Sequence, residues 1–133
     1  MYSMKQVCEL TDLSYETLKF YCNEGLVPNV KRDHHNYRTF DDRDIEWIKS
    51  LSCLKNCGMS IKEMKHYVSL CMLGQISILE RKKILADKKQ SLTTQLQKLH
   101  ASIEYIDKKQ QFYDDVLCNK IEYTSNVIEV EKK

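Results

Sequence analysis

The sequence predicts a mainly α-helical protein. A small N-terminal winged helix-turn-helix domain is followed by one long helix that pairs with a second chain as an antiparallel coiled coil. Three observations carry this expectation. The 133 residues include only three glycines and one proline, so tight turns are few. Near the N-terminus, two short amphipathic segments are separated only by Thr11-Asp12-Leu13, the spacing of a helix pair with a short turn. In the second half, apolar residues recur every seven positions, the signature of a coiled-coil seam.

The elements follow from punctuation. Gly25 and Pro28 bracket one loop, Gly58 marks a second break and Gly74 a third, after which neither residue type occurs. Ser3-x-x-Gln6, Ser60-x-x-Glu63 and Ser77-x-x-Glu80 have capping-box form, in which serine caps an amide three residues on and Gln or Glu reaches back. Ser14 and Asp41 are two further N-cap candidates. These signals predict helices over 4–11, 15–24, 42–57 and 61–72, and a long one from 78 to about 113. The polar, β-compatible stretch 28–40 (Val30, Tyr37, Thr39, Phe40) is expected to form a two-stranded wing turning at Asp33-His34-His35-Asn36.

Ile78, Leu85, Leu92, Leu99, Ile106 and Tyr113 lie seven apart, and Leu96 and Ile103 add a second row. A helix of this extent is ~50 Å long at 1.5 Å per residue, more than the N-terminal part can cover. Its seam therefore calls for a second chain, and a homodimer is expected. The expected divisions are a winged helix-turn-helix domain over 1–74, a dimerisation helix over 75–113 and a C-terminal tail over 114–133.

Composition bounds the function classes. Hydrophobic residues make up 42% and charged residues 30%, enough for a core and for long solvated helices. The longest apolar runs are a few residues, too short to span a membrane. The N-terminus lacks the apolar stretch of a signal peptide, so a cytoplasmic protein is expected. There the six cysteines would rest as thiols. Residues 1–74 hold ten Lys and Arg against ten Asp and Glu, so any nucleic-acid affinity must come from local concentration of charge. Such a concentration exists: Lys31, Arg32, His34, His35 and Arg38 face only Asp33. No Gly-rich phosphate loop and no nucleophile–base pair at recognisable spacing is present, so neither catalysis nor a cofactor is expected.

In the first helix Met4, Val7 and Leu10 share a face. In the second, Leu18 with Tyr21 or Cys22 points inward, leaving Tyr15, Glu16, Lys19 and Asn23 outward. The second helix of such a pair enters the major groove of DNA. The stretch Leu13-Ser14-Tyr15-Glu16-Thr17-Leu18-Lys19-Phe20-Tyr21-Cys22-Asn23-Glu24-Gly25-Leu26-Val27-Pro28 resembles the signature of the MerR family of transcription regulators. Asn36-Tyr37-Arg38-Thr39-Phe40 with Asp41-Asp42-Arg43-Asp44-Ile45 is similar to that family's wing exit and third helix, and Gly58-Met59-Ser60-Ile61-Lys62-Glu63-Met64 to its turn into the fourth. The resemblance implies a homodimer on double-stranded promoter DNA that distorts the duplex for RNA polymerase. It places DNA contacts at Ser14, Tyr15, Thr17, Lys19, Tyr21, Arg32, Tyr37 and Arg38. Lys19-Phe20 departs from the Arg-Tyr usual there, and lysine lacks the bidentate fork of arginine.

Within the family, the segment from Asp44 to Ser60 looks most like the thiol-based aldehyde and nitrosative-stress branch, which carries its sensing cysteine at the position of Cys53. Glu80-Arg81-Lys82-Lys83-Ile84-Leu85-Ala86-Asp87 is similar to the start of that branch's dimerisation helix. The resemblance thus implies control of a stress-response gene through Cys53. Chemistry alone leaves Cys53 open between a sensor and a structural thiol. Cys8, Cys22 and Cys71 fall among apolar neighbours and are expected in the core. The alternatives are a metal-responsive regulator and a non-catalytic coiled-coil interaction protein. Against metal, Cys53 and Cys57 supply only two ligands on one helix face, and the head of the long helix has no cysteine. A mere interaction protein leaves the first 72 residues without a role.

Overall fold

The computed structural model describes residues 1–131 and divides into two compact units, Met1–Gln90 and Ser91–Lys133. The first contains α1 (Met4–Thr11), α2 (Tyr15–Asn23), β1 (Lys31–Arg32), β2 (Arg38–Thr39), α3 (Asp42–Asn56), α4 (Ile61–Met72), a 3-10 turn (Gly74–Ser77) and the beginning of α5 (Ile78–Leu117). This is the expected mainly helical architecture with a two-stranded wing and a long C-terminal helix.

Local chemistry sets the boundaries. Ser3 and Ser60 form the capping boxes expected of them, and Asp41 forms a third with Asp44. α1 ends at Asp12, whose left-handed backbone (φ 56°) turns the chain tightly into α2. α2 ends on Gly25 at φ 75°, where the amides of Gly25 and Leu26 bond back to Cys22 and Tyr21. That stop requires positive φ, which glycine adopts without a Cβ clash.

The expected capping box at Ser77 is not formed. Ser77 is buried in the 3-10 turn, where its hydroxyl donates to the carbonyls of Leu70 and Gly74 and accepts from Arg81 Nε. The hydroxyl closes the corner between α4 and α5 and so cannot cap the long helix.

Val7, Leu18, Phe40, Ile48, Leu51 and Met64 are fully buried at the centre of the first unit. Burying each such side chain is worth about 1.5–3 kcal/mol. Trp47, on α3, packs against this core and donates from Nε1 to the Leu26 carbonyl at 2.7 Å, fixing the loop that leads into the wing. The long helix is fastened to the same unit by Ile84, which packs on the core, and by Lys88, which pairs with Glu63 at 2.7 Å. One pairing has no counterpart in the sequence patterns: Tyr2 bridges Phe40 with two backbone bonds of 2.7 and 2.9 Å, laying the N-terminus beside the wing.

In the second unit α5 continues to Leu117, four residues beyond the expected end. Asn119 stops it: at φ 60° its amide bonds to Val116 and the next amide, of Lys120, to Asp115. Asparagine thus does what glycine usually does at this position. The chain then has no regular secondary structure through Glu131. It forms a cleft of about 680 Å³ between Tyr105 and Phe112 on the helix and Tyr123 to Ile128 beyond it.

Candidate nucleic-acid interface

The start of α2 is built by Ser14. Its Oγ accepts from the Thr17 amide at 3.1 Å and donates to Thr17 Oγ1 at 2.9 Å. Ser14 therefore bonds to both the amide and the hydroxyl oxygen of Thr17 and orders the first turn. That turn presents Tyr15, 54% exposed, and one turn on Lys19, also exposed. Positions four apart share a helix face, so the two point the same way. The partial positive charge of a helix N-terminus lies beside Tyr15.

Tyr21 follows the helix-face reading, inward with Leu18, and departs from the DNA contact that the resemblance implied. It is 2% exposed, packed in the core, and among the described residues its hydroxyl is a buried side-chain oxygen without a hydrogen-bond partner. As a DNA contact it is corrected to a core residue, because its position three after Leu18 turns it to the buried face of α2.

The wing is short and tightly held. Arg32 is paired directly across from Arg38 in the antiparallel ladder, and Lys31 from Thr39. At the tip, Asp33 Oδ1 accepts from the amides of His35 and Tyr37 at 2.9 and 3.0 Å, and Asn36 adopts φ 66°. Arg32 Nη1 donates to the Asn36 carbonyl at 2.9 Å. Arg38 Nη2 donates to Asn23 Oδ1 at 2.7 Å, which ties the wing to the end of α2. Tyr37 is 71% exposed. Lys31 is drawn aside by Asp41 at 3.2 Å.

Four of the expected residues converge. Tyr15, Arg32, Tyr37 and Arg38 line one groove of about 600 Å³, with the N-terminal residues through Gln6 as its other wall. Two guanidinium groups at one groove can take neighbouring phosphates, and two phenols add hydroxyl donors. Ser14 and Thr17 support the groove from the helix cap, and Lys19 lies further along α2. The N-terminal wall, including Lys5, was not legible in the sequence, since a one-residue bridge leaves no periodic signal.

The cysteines separate into two kinds. Cys8 and Cys22 pack against the core, and burial pushes both thiols above the ordinary value. At Cys22 the charges of Arg38 and Arg32 pull the other way without prevailing. Cys53 is exposed on α3, and Cys57 caps the same helix. Lys49, four residues before Cys53 on α3, pairs with Glu46 at 3.5 Å. Cys71 is half-buried, with Arg81 Nη1 3.9 Å from its sulfur. Among the described residues no three His, Cys, Asp or Glu side chains are grouped to hold a metal ion. No helix there is long and apolar enough to cross a membrane.

Residues 2–71 match the MerR HTH family of regulatory proteins, which is more than half of the chain. The chain belongs to the MerR family. An uncharacterized HTH-type transcriptional regulator of Haemophilus influenzae is 35% identical over 84% of this chain and 83% of its own length. The regulator AdhR of Bacillus subtilis is 38% identical, over 68% of this chain and 64% of its own. Among solved structures, HiNmlR, a MerR family regulator lacking the sensor domain and bound to promoter DNA, superposes with a TM-score of 0.75 at 33% identity. That match covers 88% of this chain and 93% of that one. In this MerR protein the matched family region contains the groove residues, both wing strands and α3.

Proposed function

We propose that this MerR protein is a sequence-specific, promoter-binding transcription regulator that acts in the cytoplasm as a homodimer. Each subunit offers α2 to the major groove and the wing to the flanking backbone. The observation that carries this is the convergence of Tyr15, Arg32, Tyr37 and Arg38, from two separate segments, on one groove beside the start of α2. The similarity to HiNmlR, itself bound to promoter DNA, supports the same reading.

Dimerisation goes through the seam of α5, in antiparallel pairing. Leu92, Leu96, Leu99, Ile103, Ile106 and Tyr113 are all at least 36% exposed in the single chain. A continuous apolar row of that length is a partner surface. Two reading heads so joined bend or untwist the promoter between its recognition elements, at a cost of several kcal/mol by elastic estimates, and thereby position it for RNA polymerase.

The regulated step is assigned to Cys53, as in the thiol-based aldehyde and nitrosative-stress branch that the sequence around it resembles. Cys53 is exposed on α3, whose buried residues Ile48 and Leu51 sit in the core shared with α4. An adduct there shifts the head without touching DNA and biases a two-state arrangement. A mobility-shift assay on the gene's own upstream region tests the primary reading. Saturable binding that survives excess random duplex is expected; binding no tighter than to random duplex would overturn it.

A further inference from the structure

The wing tip holds two side chains that the groove leaves unused. His34 and His35 are both exposed, and their rings lie 4.0 Å apart at the turn between β1 and β2. The His35 ring is also 6.3 Å from that of Tyr37, which lines the groove. The imidazoles thus extend the rim of the groove along the wing. Among the described residues the two rings make these ring contacts and neither has a hydrogen bond or ion pair.

The rest of the tip is closed on itself. Asp33, the one acid in the stretch 31–38, has Oδ1 taken by the amides of His35 and Tyr37. Arg32 reaches the Asn36 carbonyl, and Arg38 reaches Asn23. At the far end of the wing, Asp41 holds Lys31 and Asp42 accepts from the Tyr2 hydroxyl. The groove's other parts bring Lys5, the amino terminus, Tyr2 and Tyr15, and no carboxylate. A turn fixed by its own side chains holds the two rings in place, so a contact made there costs little ordering. An anion is the partner such surroundings favour.

Histidine differs from the fixed cations of the wing, because it gains or loses its charge between about pH 5 and 8. A phosphate brought close favours the protonated ring. Two imidazolium charges 4.0 Å apart repel one another, and an anion beside both offsets that repulsion. We propose that His34 and His35 contact the DNA backbone and take up protons from solvent as the wing meets the duplex, so that the grip on DNA tightens as pH falls. This rests on the promoter-binding reading above and adds to it a proton-linked contact at each wing. The sign follows from linkage. A ring whose proton is favoured in the complex strengthens binding in acid, and that gain is lost as pH rises.

Fluorescence anisotropy with the full chain tests the contact between about pH 5.5 and 8. The probes are the gene's own upstream duplex and a random duplex of equal length. Wild type should bind both about tenfold more tightly at the acid end, as two exposed charge contacts would give. The slope of log K against log salt should be steeper there by about one to two units. His34→Gln with His35→Gln should abolish the pH dependence on both duplexes. His34→Lys with His35→Lys should hold at about pH 8 the affinity and slope that wild type reaches only in acid. A pH dependence absent from wild type overturns the wing-tip contact while promoter binding stands. One that persists in the glutamine variant does the same, and moves the titration to the amino terminus, His66 or His100. An effect confined to the upstream duplex overturns the phosphate assignment in favour of base contact. No saturable binding to the upstream duplex at any pH overturns the promoter-binding reading itself.

Discussion

Arg38 is the sharpest test of the nucleic-acid interface, because one of its donors is already committed. Nη2 holds Asn23 Oδ1 at 2.7 Å, leaving the remaining guanidinium N–H groups for a phosphate at the groove shared with Tyr15 and Tyr37. Arg38→Ala removes a charge-assisted hydrogen bond worth about 1.5–3 kcal/mol. With about 1.4 kcal/mol per decade, affinity falls roughly 10- to 100-fold. Because the contact is to backbone, the loss is shared by operator and random duplex, and the slope of log K against log salt drops by about one unit. Asn23→Ala keeps the charge and removes only its anchor, at about 0.5–1.5 kcal/mol, with the slope preserved. Fluorescence anisotropy on both duplexes across a salt series resolves the two variants. The reasoning is refuted if Arg38→Ala changes base preference at constant slope, or if Asn23→Ala lowers the slope as much as Arg38→Ala does.

Four other outcomes are expected. Tyr21→Phe deletes a buried hydroxyl that has no partner. Stability measured by urea unfolding should therefore be unchanged or slightly higher, with operator affinity intact; a tenfold loss of affinity would return Tyr21 to the DNA face. Leu92→Glu with Leu99→Glu should give unfolded chain or weakly associated monomer in sedimentation; a variant that stays a tight dimer removes the seam from the interface. On the acid side, Lys88 first and then the Ser60 amide hold Glu63 below its ordinary 4.5, and the Asp44 amide first and then Lys31 hold Asp41 below 3.8. Lowered folded values stabilise above the ordinary ones, and that stability is lost as pH falls through the folded values. Glu63→Gln should flatten the decline in thermal midpoint below about pH 4.5, and an unaltered decline would show the pair with Lys88 to be inert. Finally, Cys53→Ser should keep operator binding and basal transcription but lose the response to aldehyde or nitrosating stress, while Cys57→Ser and Cys118→Ser retain part of it; normal induction in the Cys53→Ser strain moves the sensor elsewhere.

What the sequence determined by itself is local. Ser3, Ser14, Asp41 and Ser60 start the helices expected of them, because a cap bonds amides only two or three residues away. Gly25 and Gly58 end helices for an equally local reason, the left-handed backbone. The seven-residue row implies a long helix because side-chain direction is periodic along it. Tertiary structure decided whatever depends on a neighbour remote in sequence. The Ser77 and Glu80 spacing is that of a capping box, yet the carbonyl of Leu70, brought back by the corner, claims the Ser77 hydroxyl. The bridge from Tyr2 to Phe40, and the bond from Arg38 to Asn23 across 15 residues, exist only once the wing folds against α1 and α2. No spacing rule encodes such contacts, because the chain between their partners is free to take many lengths while the geometry of the groove takes one.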